Sequence, residues 1–138
     1  MVKLLAGSAG SGKTKIMIDN ANKEIENVRG TFVYVESTDK HMQLLNSKIR
    51  FVSTEDIKID SFSAMYGFIC GLTSANYDIQ KIYIDGILKI VKEDESKLAE
   101  FLEVIEKISN KTETEIMISA TLQNSDTKKS LEKYIVEE

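Results

Sequence analysis

Apolar residues fall along the chain in two alternating rhythms. Residues 2–6 form a short apolar run closed by Gly7, as a buried parallel strand would be. From residue 13 the spacing changes: Met17, Ala21, Ile25 and Val28 recur at helical intervals, and Gly30 stands where a helix-ending glycine belongs, predicting a helix over 13–28. Residues 31–35 (TFVYV) are β-branched and aromatic and predict a second strand, and 49–52 (IRFV) predict a short edge strand that alternates with Arg50. Asp60 or Ser61 can cap a helix reaching about Leu72, with Phe62, Met65, Tyr66, Ile69 and Cys70 inward and Gly67 and Gly71 allowing close approach of a neighbour.

The second half repeats the alternation. Residues 82–84 within KIYID predict a buried strand, and 96–110 an amphipathic helix with Leu98, Phe101, Leu102, Ile105 and Ile108 inward. Asp94 and Glu95 favour its start. Residues 115–120 (EIMISA) predict another strand, and KKSLEKYIVEE at 128–138 a helical turn followed by a last strand at 134–136. Strands alternating with helices predict an α/β three-layer sandwich with a mainly parallel sheet of about five strands. With 138 residues and no linker, repeat or low-complexity tract, residues 1–138 are expected to form a single domain.

Composition narrows the function classes. A hydrophobic content of 42% and a charged content of 29% are ordinary for a globular protein, and the formal net charge of -4 gives no general attraction to nucleic acid or anionic lipid. The opening apolar run is too short for a signal-peptide core, no run is long enough to cross a bilayer, and the expected location is cytoplasmic. Cys70, the single cysteine, cannot form an internal disulfide and reads as a buried free thiol. His41, the single histidine, has no neighbouring histidine or cysteine to suggest a metal site and reads as a surface residue. Lys128, Lys129 and Lys133 read as a solvated face.

The chemistry concentrates in Gly7-Ser8-Ala9-Gly10-Ser11-Gly12-Lys13-Thr14, which fits G-x-x-x-x-G-K-[ST] between a strand and a helix. Glycines let successive backbone N–H groups turn inward around an anion. The helix N-terminus adds partial positive charge, lysine reaches the β- and γ-phosphates, and the threonine hydroxyl holds Mg²⁺. A flexible glycine turn is the alternative.

This segment resembles the Walker A loop of P-loop NTPases, and its Ser-Gly-Lys-Thr ending is similar to RecA-like and helicase-like members. The resemblance implies ATP or another nucleoside triphosphate with Mg²⁺. It further implies an acidic residue at the end of a second buried strand, for which Asp85 after Ile82-Tyr83-Ile84 is the candidate, with a turn aspartate before Gly86 as the alternative. Many such ATPases follow that aspartate with a glutamate; here Gly86 follows. RecA-like proteins carry the catalytic glutamate beyond the second strand, which makes Glu36 the candidate base and Asp39 its rival. Ser119-Ala120-Thr121 resembles the strand end that senses phosphate in helicase-like relatives, through Ser119 or Thr121, although three small residues also make an ordinary turn. The loop and IYIDG with Ile87-Leu88-Lys89-Ile90 are also similar to short bacterial ATP-binding proteins sometimes labelled twitching-motility ATPases. The motility role does not transfer, because those ATPases are far longer and their further acidic and histidine motifs have no counterpart here.

Three functions follow from these residues as expectations: an ATP-binding protein with weak or partner-stimulated ATPase activity, a nucleotide-regulated interaction module, or a small-molecule kinase. Only Arg29 and Arg50 are available as arginine fingers and neither lies in a motif, so if hydrolysis needs a finger, a partner or a second copy is expected to supply it. The absence of a base-reading N-K-x-D motif tilts the nucleotide toward ATP by default.

Overall fold

The chain folds around one five-stranded sheet, every strand of which runs parallel to its neighbours. The computed structural model describes residues 1–136. The strands are β1 (Val2–Gly7), β2 (Thr31–Glu36), β3 (Arg50–Ser53), β4 (Ile79–Ile84) and β5 (Glu115–Thr121). Between and after them lie α1 (Lys13–Glu24), α2 (Phe62–Ala75), α3 (Ile87–Ile90), α4 (Leu98–Thr112) and α5 (Ser125–Ser130). The spatial order is β1-β5-β4-β2-β3, which puts β3 at the edge expected for it.

Side-chain alternation divides the core into two layers. Leu5, Phe32, Tyr34, Tyr83 and Met117 face Met17, Ile18 and Ala21 of α1. Their sequence neighbours Leu4, Val33, Val35, Ile82, Ile84, Ile116 and Ile118 face the other way, onto α2 and α4. Both sides of the sheet are therefore covered, as a parallel sheet requires, and the layers number three. Connections from β1 and β2 pass over the α1 face, whereas those from β3 and β4 pass over the α2/α4 face. Adjacent strands β4 and β2 thus send their chains to opposite sides, which opens a crevice beyond their carboxyl ends.

Several local expectations are corrected. Helix α1 gives way after Glu24 to a single 3-10 turn at Ile25–Asn27, short of Gly30. Gly30 is needed for a different reason: a Cβ there would lie 2.0 Å from the carbonyl oxygen of Asp78, which already accepts a hydrogen bond from Thr31 N at 2.7 Å. Ser61, not Asp60, caps α2 by accepting from Ala64 N, and the helix runs on to Ala75. Its buried face is Phe62, Met65, Ile69 and Thr73, while Tyr66 is exposed, Cys70 half-buried, and Gly67 and Gly71 border open space. Asp94 caps a 3-10 turn at Glu95–Lys97 that leads directly into α4.

At the carboxyl terminus the helical turn comes earlier than expected, at Ser125–Ser130, and in place of a strand at 134–136 only Ile135 forms a parallel bridge, with Leu4. Residues 137–138 of that segment lie outside the described residues. Among the described residues no helix is long and apolar enough to cross a membrane.

The contrast between glycines is measurable. Gly30→Ala is expected to cost about 2 kcal/mol, because backbone must move to admit the methyl. Gly67→Ala, on an exposed turn of α2, should stabilise by about 0.5–1 kcal/mol. Urea midpoints of the two variants against the parent check both signs.

Candidate functional site

The candidates Glu36, Asp85, Ser119 and Thr121 stand at or just beyond the carboxyl ends of β2, β4 and β5, at the edge of the sheet where the loop leaves β1. The loop leaves β1 at Gly7 and turns through Gly10 (φ 75°) and Gly12 (φ 84°), both in the left-handed region that disfavours other residues. Neither glycine is crowded, so backbone torsion, not contact, selects glycine here. Gly12 opens α1 without any side-chain cap, and the first intrahelical bond is Ile16 N to Gly12 O at 3.2 Å. First-turn N–H groups therefore face the loop, at the positive end of the helix dipole. Lys13 is 9% exposed, and its Nζ donates to Ser8 O at 2.7 Å and to Ser11 Oγ at 3.2 Å, which folds the ammonium over the loop. Ser8, Ala9, Gly10 and Gly12 are open to solvent, and Thr14 is half-buried beside Lys13.

Strand parity then brings three polar side chains to the α1 side of the sheet. Glu36 continues the series Phe32 and Tyr34, Asp85 follows Tyr83, and Ser119 follows Met117. Asp85 is 4% exposed and both its oxygens are engaged: Ser119 Oγ donates to Oδ1 at 2.6 Å, and Tyr34 OH donates to Oδ2 at 3.1 Å. Ser119, fully buried, accepts in turn from Gly86 N at 2.7 Å, so its one proton is committed to Asp85. Tyr34 is fixed as a donor, since burial first and the adjacent Asp85 second push its pKa far above the ordinary tyrosine value. Two of the roughly four lone-pair sites of the carboxylate remain available. Thr121, at the end of β5, is half-buried.

Glu36 lies next to this cluster, one step beyond the paired residues Val35 and Ile84. It is 7% exposed, and His41 Nδ1 lies 2.8 Å from its Oε2. Its other oxygen, Oε1, is buried with no hydrogen-bond partner among the described residues, as is Thr38 Oγ1. Burial raises the Glu36 pKa; the hydrogen bond from His41 opposes this and the charge of Asp85 adds to it. Asp39, the rival carboxylate, is exposed. Arg29 precedes β2 and Arg50 opens β3, so both sit toward the opposite, amino ends of the strands.

Two participants were not legible as such in the sequence. Tyr34 shares its strand face with Glu36, a spacing that could have singled it out, but its partner Asp85 lies 51 positions away. His41 is half-buried against Glu36 and not a plain surface residue. A cleft of about 820 Å³ runs between the loop and α5 and touches Gly7, Ser8, Ser11, Lys128 and Lys129, but not Asp85 or Glu36. Lys128, Lys129 and Lys133 are exposed, as expected. Among the described residues no three acidic, histidine or cysteine side chains are grouped as a metal cage. No protein-family model matches the chain, and no curated protein matches it either.

Glu36 yields a prediction about stability. Because its pKa is raised on folding, the folded state is favoured where the group is neutral and loses that advantage as pH rises through the raised value. Glu36→Gln removes the buried charge and should stabilise the protein at pH 8 by about 1 kcal/mol, or about 3–5 °C in Tm. The gain should shrink toward zero near pH 4. Thermal melts of both proteins across that range check the direction.

Proposed function

We propose that this chain is a small P-loop protein of RecA-like type that binds Mg²⁺-ATP in loop 7–14 and hydrolyses it slowly. The observation that carries the reading is one of assembly. A loop with glycines in the left-handed region opens a helix whose second residue is a threonine, at the same edge of a parallel sheet as two buried carboxylates. Backbone N–H groups of the loop and the α1 N-terminus receive phosphate oxygens, and Lys13 Nζ exchanges its bonds to Ser8 and Ser11 for the β- and γ-phosphates. Thr14 and Asp85 fit the role of holding magnesium, Thr14 through its hydroxyl and Asp85 through its remaining lone pairs. When bound with the nucleotide, the ion neutralises phosphate charge.

Glu36 then takes a proton from water as the water oxygen bonds to the γ-phosphorus and the bond to the diphosphate oxygen breaks. A buried carboxylate with a raised pKa is a better base near neutrality than an exposed one. Both arginines lie at the far ends of their strands, so a finger on the γ-phosphate has to come from another protein or a second copy, and the chain alone is expected to turn over slowly.

Titration of Mg²⁺-ATP, GTP and ADP against the parent and Lys13→Ala, followed by a phosphate-release assay, tests the proposal. Binding in the millimolar range or tighter, weakened about tenfold or more by Lys13→Ala, is expected. Release should fall about 100-fold in Glu36→Gln and persist in Asp39→Asn. Equal binding by parent and Lys13→Ala sinks the nucleotide reading. Lys13-dependent binding without release would shift weight to a nucleotide-ordered interaction module, and transfer of the phosphoryl group to a metabolite would shift it to a kinase.

A further inference from the structure

The two oxygens of Glu36 are treated differently by the fold. Oε2 is held by His41 Nδ1 at 2.8 Å, and Oε1 is buried with no partner. A carboxylate that served only to tie down a loop would be satisfied at both oxygens, because an unmet buried acceptor is costly. Thr38 Oγ1, two residues along the same chain, is a second buried polar atom without a partner. A pair of unmet groups on one strand exit is what a site for an absent polar molecule leaves behind.

His41 is itself firmly placed. It precedes a 3-10 turn at Met42–Leu44, and the residues that follow, Leu45 and Ile49, are buried in the α1-side core. Asn22 of α1 clamps the same stretch twice, donating from Nδ2 to Leu44 O at 2.9 Å and accepting at Oδ1 from Asn46 N at 2.8 Å. The imidazole is thus presented to Glu36 by a segment fastened to the helix that begins at the glycine loop. Since an ionised carboxylate only accepts, Nδ1 carries the hydrogen.

We propose that His41 is a positioning residue for Glu36. It holds Oε2 so that Oε1, with the Thr38 hydroxyl, is left for the water that attacks the terminal phosphate. The inference rests on the function proposed above and adds to it the groups that orient the base and its water. His41 touches neither nucleotide nor water; it acts through Glu36 alone.

Phosphate release and Mg²⁺-ATP titration of His41→Ala, His41→Asn, Thr38→Val and the double variant His41→Ala/Glu36→Gln provide the test, with thermal melts to confirm folding. His41→Ala is expected to lower kcat about 10- to 100-fold while KM and the Kd for Mg²⁺-ATP stay within about twofold. His41→Asn, whose amide N–H can reach the position of Nδ1, should recover most of the loss. Thr38→Val should lower kcat without changing Kd. In the Glu36→Gln background, His41→Ala should have no further effect, since the two residues act as one unit.

An unchanged kcat in His41→Ala overturns the inference, as does a full additional loss in the Glu36→Gln background. If His41→Ala does not fold, the Asn variant decides, because a folded His41→Asn as inactive as Glu36→Gln contradicts rescue by a donor. Absence of any release by the parent overturns the inference too, while Lys13-dependent binding would survive it. Failure of the nucleotide reading is separately visible as loss of the Lys13 dependence.

Discussion

A single buried carboxylate ties the carboxyl edge of the sheet together. Asp85 ends the central strand β4 and receives a proton-donating group from the strand on either side, Tyr34 from β2 and Ser119 from β5. Burying a charge costs several kcal/mol unless charge-assisted hydrogen bonds offset it, so these two donors are a condition of the arrangement. Ser119 extends the link by accepting from the Gly86 amide, which fixes the turn after β4. Remove the carboxylate and β2 and β5 lose their shared partner at the end of β4, while the hydroxyl groups of Tyr34 and Ser119 lose their acceptor.

This network also fixes what the neighbouring Glu36 can do. Asp85 contributes to the upward shift of the Glu36 pKa, and burial contributes more. The fold therefore carries two adjacent acidic groups with different treatment: one satisfied at both oxygens, the other at only one. Both groups stand at the end of a core that is apolar on both faces of the sheet, from Leu4 and Ile118 on one side to Leu5 and Met117 on the other.

Where the sequence misleads, the cause is long-range packing. Gly30 matches a helix-ending signal, yet the helix has already ended and the glycine answers to Asp78, 48 positions later, through a close backbone approach. Gly67 and Gly71 suggest a tight helix contact, but among the described residues no atom comes within 4 Å of a Cβ built at either. Tyr66 and Cys70 fit the apolar side of a helical wheel, but the buried stripe runs through Thr73, whose hydroxyl is satisfied by the carbonyl of Ile69 within the helix. Single-residue signals of this kind have more than one physical origin, and only the neighbour in space selects among them.

What the sequence by itself determined is whatever depends on local periodicity and backbone chemistry. It specified the strand–helix alternation, the glycine loop and its lysine-threonine ending, and the polar residues Glu36, Asp85 and Ser119 at strand ends. It did not determine that those residues meet. The order β1-β5-β4-β2-β3 brings β4 between β5 and β2, although the chain visits them in another sequence, and only that order sets Ser119 and Tyr34 on either side of Asp85. Likewise, a histidine five residues from a glutamate says nothing until Asn22, Leu45 and Ile49 fasten the intervening loop against α1. Periodicity fixes which way a side chain points from its own backbone; which partner it finds is decided by packing between segments far apart in the chain, and that exists only in the folded molecule.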